Sequence, residues 1–116
     1  SGAKLAFGSD WPVAPLDPLT GVAAAVLRQT IDGANPGGWL PEQKISMLQA
    51  LHAYTATNAF AGFSDDRMGL LKPGMLADFA VLDANLFAID PTKIGATKVL
   101  RTIVGGRQRF GEGSDI

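Results

Sequence analysis

The sequence predicts an α/β chain in two parts, a strand–helix–helix segment over residues 1–62 and a β-rich segment over residues 63–116. Three observations carry that reading. The short apolar run 4–8, "KLAFG", ends on glycine as a brief buried strand does. Two later segments start with proline where a helix tolerates it best, at Pro18 and Pro41. Beyond Gly62 the chain becomes apolar runs separated by Lys72-Pro73-Gly74 and Gly105-Gly106, which are turn signals between strands.

Each element follows from its own residues. After the strand at 4–8, Ser9 to Leu16 is a loop punctuated by Pro12 and Pro15. Asp17 is an N-cap and Pro18 the first helical residue, where a missing N–H costs nothing; the helix is expected over about 18–31. "DGANPGGW" is a loop by composition. A second helix is expected over about 41–61, with Glu42 complementing the dipole at its start and Gly62 closing it. Ile45, Leu48, Leu51 and Thr55 fall on one helical face and mark its core side. In the β-rich part, hairpins are expected to turn at Lys72-Pro73-Gly74 and at Gly105-Gly106. Alternation places Ala80 and Leu82 opposite Phe79 and Val81. Leu76, Phe79, Val81, Leu100, Ile103 and Val104 are expected among the more buried residues.

Composition bounds the function. Apolar residues make up 47% and charged ones 18% of 116 residues, which fits one folded domain and argues against disorder. Ten basic and eleven acidic residues, with no long run of either sign, give neither a nucleic-acid groove nor a basic membrane face. There is no cysteine, hence no disulfide and no thiolate chemistry; this fits a reducing compartment, and a cytoplasmic location is the expectation. No apolar run approaches the roughly 18 residues of a membrane span, and the first residues lack a signal peptide's basic start and apolar core. The chain enters a strand pattern almost at once, as a domain interrupted midway would.

Asp10 is the best candidate for chemistry. It stands where a strand gives way to the loop leading to a helix, the edge at which α/β barrels and open α/β sheets build their sites. A carboxylate there can ligate a metal or take a proton from metal-bound water. It can equally form an Asx-turn before Pro12, and spacing alone leans toward that turn. His52, the one histidine, lies in a helix with no second ligand at helical spacing, which points to a structural or surface role. Trp11 could line a substrate pocket or fill packing space, and Trp39 could pack or serve as a loop lid. Lys72-Pro73-Gly74 lacks the glycine spacing of a phosphate loop. Asp65, Asp66, Asp78 and Asp83 read as turn and strand-end residues, without the alternation of a calcium loop.

The string "FGSDWPV…DPLTGVAAAVLRQ…LHAYTATNAFAGF…DRMGLLKPGMLADFAVLDANLF…KVLRTIVGGR" resembles the C-terminal end of metal-dependent hydrolases of the amidohydrolase superfamily, in the branch called amidohydrolase family 3. The resemblance runs from about Leu5 to Arg107. "GSDWPV" alone is common, whereas "AYTATNAFAGF", "GLLKPGMLADFAVLD" and "TIVGGR" in that order are specific. It implies a (β/α)8 barrel flanked by a small composite β-sandwich. Residues 4–8 would be the eighth barrel strand, the helices at about 18–31 and 41–61 its closing elements, and residues from about 67 the C-terminal half of the sandwich.

By the same resemblance, Asp10 would ligate a divalent metal, zinc foremost, help activate the attacking water and pass its proton to the leaving nitrogen of an amide-like C–N bond; Trp11 would touch the small-molecule substrate. The family's His-x-His pair, mid-barrel carboxylate or carboxylated lysine, and two further histidines have no counterpart in these 116 residues, and His52 matches no ligand. The chain is therefore expected to be a fragment, roughly the last fifth of such a protein, inactive by itself and binding no metal. It is expected to self-associate as a homo-oligomer, with domain swapping as one route, and to bind neither nucleic acid nor membrane. The other reading is a self-standing, non-catalytic β-rich interaction module.

Overall fold

Asp17 and Pro18 start the first helix as the sequence expects. In a computed structural model, which describes residues 2–113, helix α1 runs Pro18–Leu27, and Asp17 Oδ1 accepts the Leu19 N–H at 2.9 Å. The helix is shorter than the expected span. Arg28 turns left-handed at φ 56° and donates its N–H to the Ala24 carbonyl at 2.8 Å, which ends the ladder. No glycine marks the position, so the usual sign of such an ending is missing from the sequence.

The helix expected over 41–61 is three pieces. Pro41–Gln43 forms a single 3-10 turn, α2 runs Met47–Tyr54 and α3 runs Ala56–Ala61. Ser46 caps α2 in place of Pro41: its hydroxyl accepts the Gln49 N–H at 3.2 Å while the Gln49 side chain accepts the Ser46 N–H at 2.9 Å. This reciprocal pair satisfies two end donors at once. Thr55, at φ −127° and ψ −87°, breaks the ladder between α2 and α3, and its hydroxyl donates to the Leu51 carbonyl at 2.7 Å. Gly62 closes α3 as expected. The core side of α2 is made by the buried Ala50 and Ala53 with half-buried Leu51, and Ile45 just before the helix packs against the core as expected, whereas Thr55 and Leu48, the latter 54% exposed, do not. Ala50 lets α2 approach the core closely, and Met47, Leu51 and Tyr54 pack around it.

No strand forms at 4–8. A strand needs a ladder partner, and among the described residues this segment has none; it is exposed apart from half-buried Phe7. The helices hold it instead. Phe7 N–H donates to the Ala53 carbonyl at 2.9 Å, and the Phe7 carbonyl accepts from Asn58 Nδ2 at 2.8 Å.

The β-rich half holds an antiparallel sheet in the order β1 (Phe79–Leu82), β2 (Val99–Val104), β3 (Arg107–Phe110). Phe79 pairs with Ile103 and Val104 with Arg107. Gly105 and Gly106, at φ 57° and 76°, make the expected tight turn between β2 and β3. Lys72-Pro73-Gly74 is a turn too, closed by Met75 N–H on the Lys72 carbonyl at 3.1 Å, but the runs flanking it are not strands. Among the described residues, one backbone bond spans it, from Leu76 N–H to the Arg67 carbonyl at 2.8 Å. Ile103 is buried as expected and Phe79 and Val81 are half-buried, whereas Leu76, Leu100 and Val104 are exposed. Alternation explains the last two: Leu100 and Val104 share the strand face opposite Ile103, and one face only is covered.

The core lies between α1, α2 and the connection from β1 to β2. Leu19, Val22 and Ala50 meet Leu86 and the fully buried Ile94, which the 3-10 turn Pro91–Ala96 lays against α1.

Candidate functional site

Asp10 occupies a tight turn that feeds the N-terminal end of α1. Its φ is 49°, a conformation that aspartate tolerates better than most side chains. Val13 N–H donates to the Asp10 carbonyl at 2.9 Å, Ala14 N–H donates to the Ser9 carbonyl at 3.0 Å, and the Trp11–Pro12 peptide is cis. An Asx-turn needs an N–H two residues after the aspartate, and that residue is Pro12, which has none. The turn is therefore closed by backbone groups. The Asp10 carboxylate is exposed, and among the described residues no donor reaches it. It lies back over residue 8, where a Cβ would stand 3.7 Å from Oδ1.

Trp11, beside it, is 64% exposed and serves no core. Trp39 is equally open but belongs to the other end of α1. Its N–H donates to the Arg28 carbonyl at 2.7 Å, its carbonyl accepts from Arg28 Nε at 2.9 Å, and the guanidinium stands 5.0 Å from its ring centre. A ten-residue helix, about 15 Å long, lies between the Arg28–Trp39 pair and the end that the Asp10 turn feeds.

His52 is exposed on α2 and lines a trough with Lys4, Thr57, Phe60 and Asp65, where Lys4 Nζ lies 3.4 Å from the Phe60 ring centre. Asp10 is not among the residues of that trough. Asp65 and Asp66 sit in a turn after α3. Asp78 accepts the Gly105 N–H at 2.6 Å and Asp83 the Lys98 N–H at 2.8 Å, so both brace the sheet. Among the described residues no three His, Cys, Asp or Glu side chains gather into a group that could hold a metal ion. At the Asp10 turn the donor set among the described residues amounts to that one carboxylate and does not by itself fit a metal. Nor is any helix among the described residues long and apolar enough to cross a membrane.

Sequence reasoning missed Asn58. Its signal was present: asparagine is disfavoured inside helices because its amide competes for the backbone, so one standing in "TATNAF" calls for a partner. That partner, Phe7, lies 51 residues away.

Against known proteins, the profile of the amidohydrolase family matches residues 1–110. The chain is 43% identical over 108 residues to the Arabidopsis thaliana "Protein LONG AFTER FAR-RED 3", covering 93% of this chain and 18% of that protein. It is 32% identical over 106 residues to the "Putative amidohydrolase YtcJ" of Bacillus subtilis (strain 168), covering 91% of this chain and 20% of that protein. Among solved structures it resembles an amidohydrolase from Thermotoga maritima MSB8, with a TM-score of 0.69 at 23% identity over 96% of this chain and 24% of that one. The chain thus spans about a fifth of the length of the curated relatives it matches.

Proposed function

The chain belongs to amidohydrolase family 3, and on that premise we propose that it forms part of a metal-dependent hydrolase of amide-like C–N bonds in which Asp10 is both a metal ligand and the proton acceptor. The observation that supports this reading is the Asp10 carboxylate, held in a backbone-closed turn and committed to no partner among the described residues. One carboxylate does not make a metal site, so the remaining ligands would come from residues outside this chain. Held by Asp10 and those further ligands, a divalent ion would supply water acidified to a pKa of about 7, a nucleophile at neutral pH. Asp10 takes up the water's proton and delivers it to the departing nitrogen, work that an exposed carboxylate can do without first breaking a hydrogen bond. Trp11, exposed next to it, offers an aromatic face to the substrate.

The α/β content and the likeness to the Thermotoga maritima structure support placing residues 4–8 at the closing edge of a barrel and the three-stranded sheet in a small β-sandwich. A self-standing interaction module is the weaker reading, because the family match runs through both halves of the chain. The test uses the full-length protein loaded with zinc and a panel of N-acyl amides. Hydrolysis of at least one amide is expected, with Asp10→Asn lowering turnover by about 10²–10⁴-fold and leaving the fold intact. No hydrolysis by the natural protein, or near-normal turnover in Asp10→Asn, overturns the proposal.

A further inference from the structure

The last four carbonyls of a helix have no partner inside it, and each of those at the end of α2 has found a different one. Leu51 C=O accepts the Thr55 hydroxyl at 2.7 Å, and His52 C=O accepts the Thr55 N–H at 3.2 Å. Ala53 C=O accepts the Phe7 N–H at 2.9 Å, and Tyr54 C=O accepts Asn58 Nδ2 at 3.3 Å. The break at Thr55 is what keeps the Ala53 carbonyl available. Asn58 Nδ2 also donates to the Phe7 carbonyl at 2.8 Å, and the Phe7 ring meets Tyr54 edge-on at 5.5 Å and 70°. Both backbone polar groups of Phe7, and its side chain, are therefore fixed to α2 and α3. Phe7 stands three residues before Asp10, at the head of the turn that carries it.

We infer that Asn58 is a positioning residue for Asp10: by clamping Phe7 across the α2–α3 break it sets the height and direction at which the Asp10 turn leaves the helical unit. The segment 4–8 has no ladder of its own among the described residues, so these bonds are the ones that define where the turn begins. The inference rests on the reading of Asp10 as the reactive carboxylate, but the clamp can be tested without it.

The experiment is hydrogen exchange, read by mass spectrometry, on the full-length protein, following the peptide that covers residues 4–14. In the natural protein the Phe7 amide exchanges slowly. Asn58→Ala, and Asn58→Asp, which keeps the size but removes the donor, speed that peptide about 2- to 10-fold, as expected for loss of one hydrogen bond. Gln49→Ala opens the N-terminal cap of α2 without touching Phe7 and leaves the peptide unchanged. In turnover of the N-acyl amide, Asn58→Ala lowers kcat by about 10- to 100-fold with KM unchanged. Added to Asp10→Asn, it causes no further loss. Fast exchange at Phe7 in the natural protein, unchanged exchange in Asn58→Asp, or an equal kcat loss in Gln49→Ala overturns the inference. So does an Asn58→Ala effect that persists undiminished in the Asp10→Asn background. Full activity of Asp10→Asn alone would instead remove the reading of Asp10, and the exchange data would still judge the clamp.

Discussion

The Tyr54 hydroxyl of α2 lies where the side chain of Gly21 on α1 would be. A Cβ built on Gly21 meets the hydroxyl oxygen well inside contact distance and the ring carbon bearing it at 2.9 Å. The two helices cross here because one has no side chain and the other has a long one.

Gly21→Ala should accordingly be destabilising, although glycine to alanine in a helix interior is ordinarily favourable by about 0.5–1 kcal/mol. Overpacking of this kind costs about 1–3 kcal/mol, so the clash wins. Chemical denaturation of Gly21→Ala, alone and combined with Tyr54→Phe, checks the sign: removing the hydroxyl should recover part of the loss. A Gly21→Ala protein more stable than the natural one would show that the helices simply part.

The Arg28–Trp39 pair should control the loop between α1 and α2. Arg28→Lys loses the Nε bond to the Trp39 carbonyl and the flat guanidinium against the indole, about 1 kcal/mol together. Gly38→Ala should do more harm, since at φ 82° its Cβ would stand 2.5 Å from the Leu27 carbonyl oxygen. Left-handed strain alone is worth about 1–3 kcal/mol. Thermal unfolding followed by tryptophan fluorescence should rank the variants in that order.

Stability should fall at both ends of the pH range. The Thr92 hydroxyl, then the Thr92 N–H, hold the Asp90 carboxyl below its ordinary value, and the Thr30 hydroxyl, then the Ala34 N–H, do the same for Asp32. A carboxyl with a lowered native pKa stabilises above its unfolded value, about 3.9, and that contribution is lost as pH falls through the lowered value. Burial raises the Tyr54 hydroxyl, so its contribution is present below about 10 and is lost as pH rises through the raised value. Melting temperatures against pH should show a shallower acid decline in Asp90→Asn and a shallower alkaline one in Tyr54→Phe. Unaltered slopes would reject the assignments.

The 116-residue chain by itself should self-associate. A compact monomer of 12.1 kDa exposes about 6,000 Å², whereas this chain exposes 8085 Å². The surplus, roughly 2,000 Å², exceeds the ~800 Å² that each partner of a standard interface buries. Leu5, Leu48, Phe60 and Phe63 are part of that surface. Light scattering across a concentration series should reveal dimers or larger species, and a monomer throughout would reject the expectation.

Sequence by itself determined what depends on neighbouring residues. The Asp17–Pro18 helix start, the closure at Gly62 and the Gly105-Gly106 hairpin are local chemistry, legible from a few adjacent side chains and borne out in the structure. The family was legible as well, because its motifs are short and ordered along the chain. Tertiary structure decided the rest. Segment 4–8 is apolar enough for a strand, but a strand exists only where another supplies its ladder, and here the helices take its hydrogen bonds instead. The break at Thr55 and the full burial of Ala50 and Ala53 on α2 depend on what α1 and Phe7 present across the gap. The same is true of Asn58: its partner is 51 residues away, a separation that no local pattern encodes.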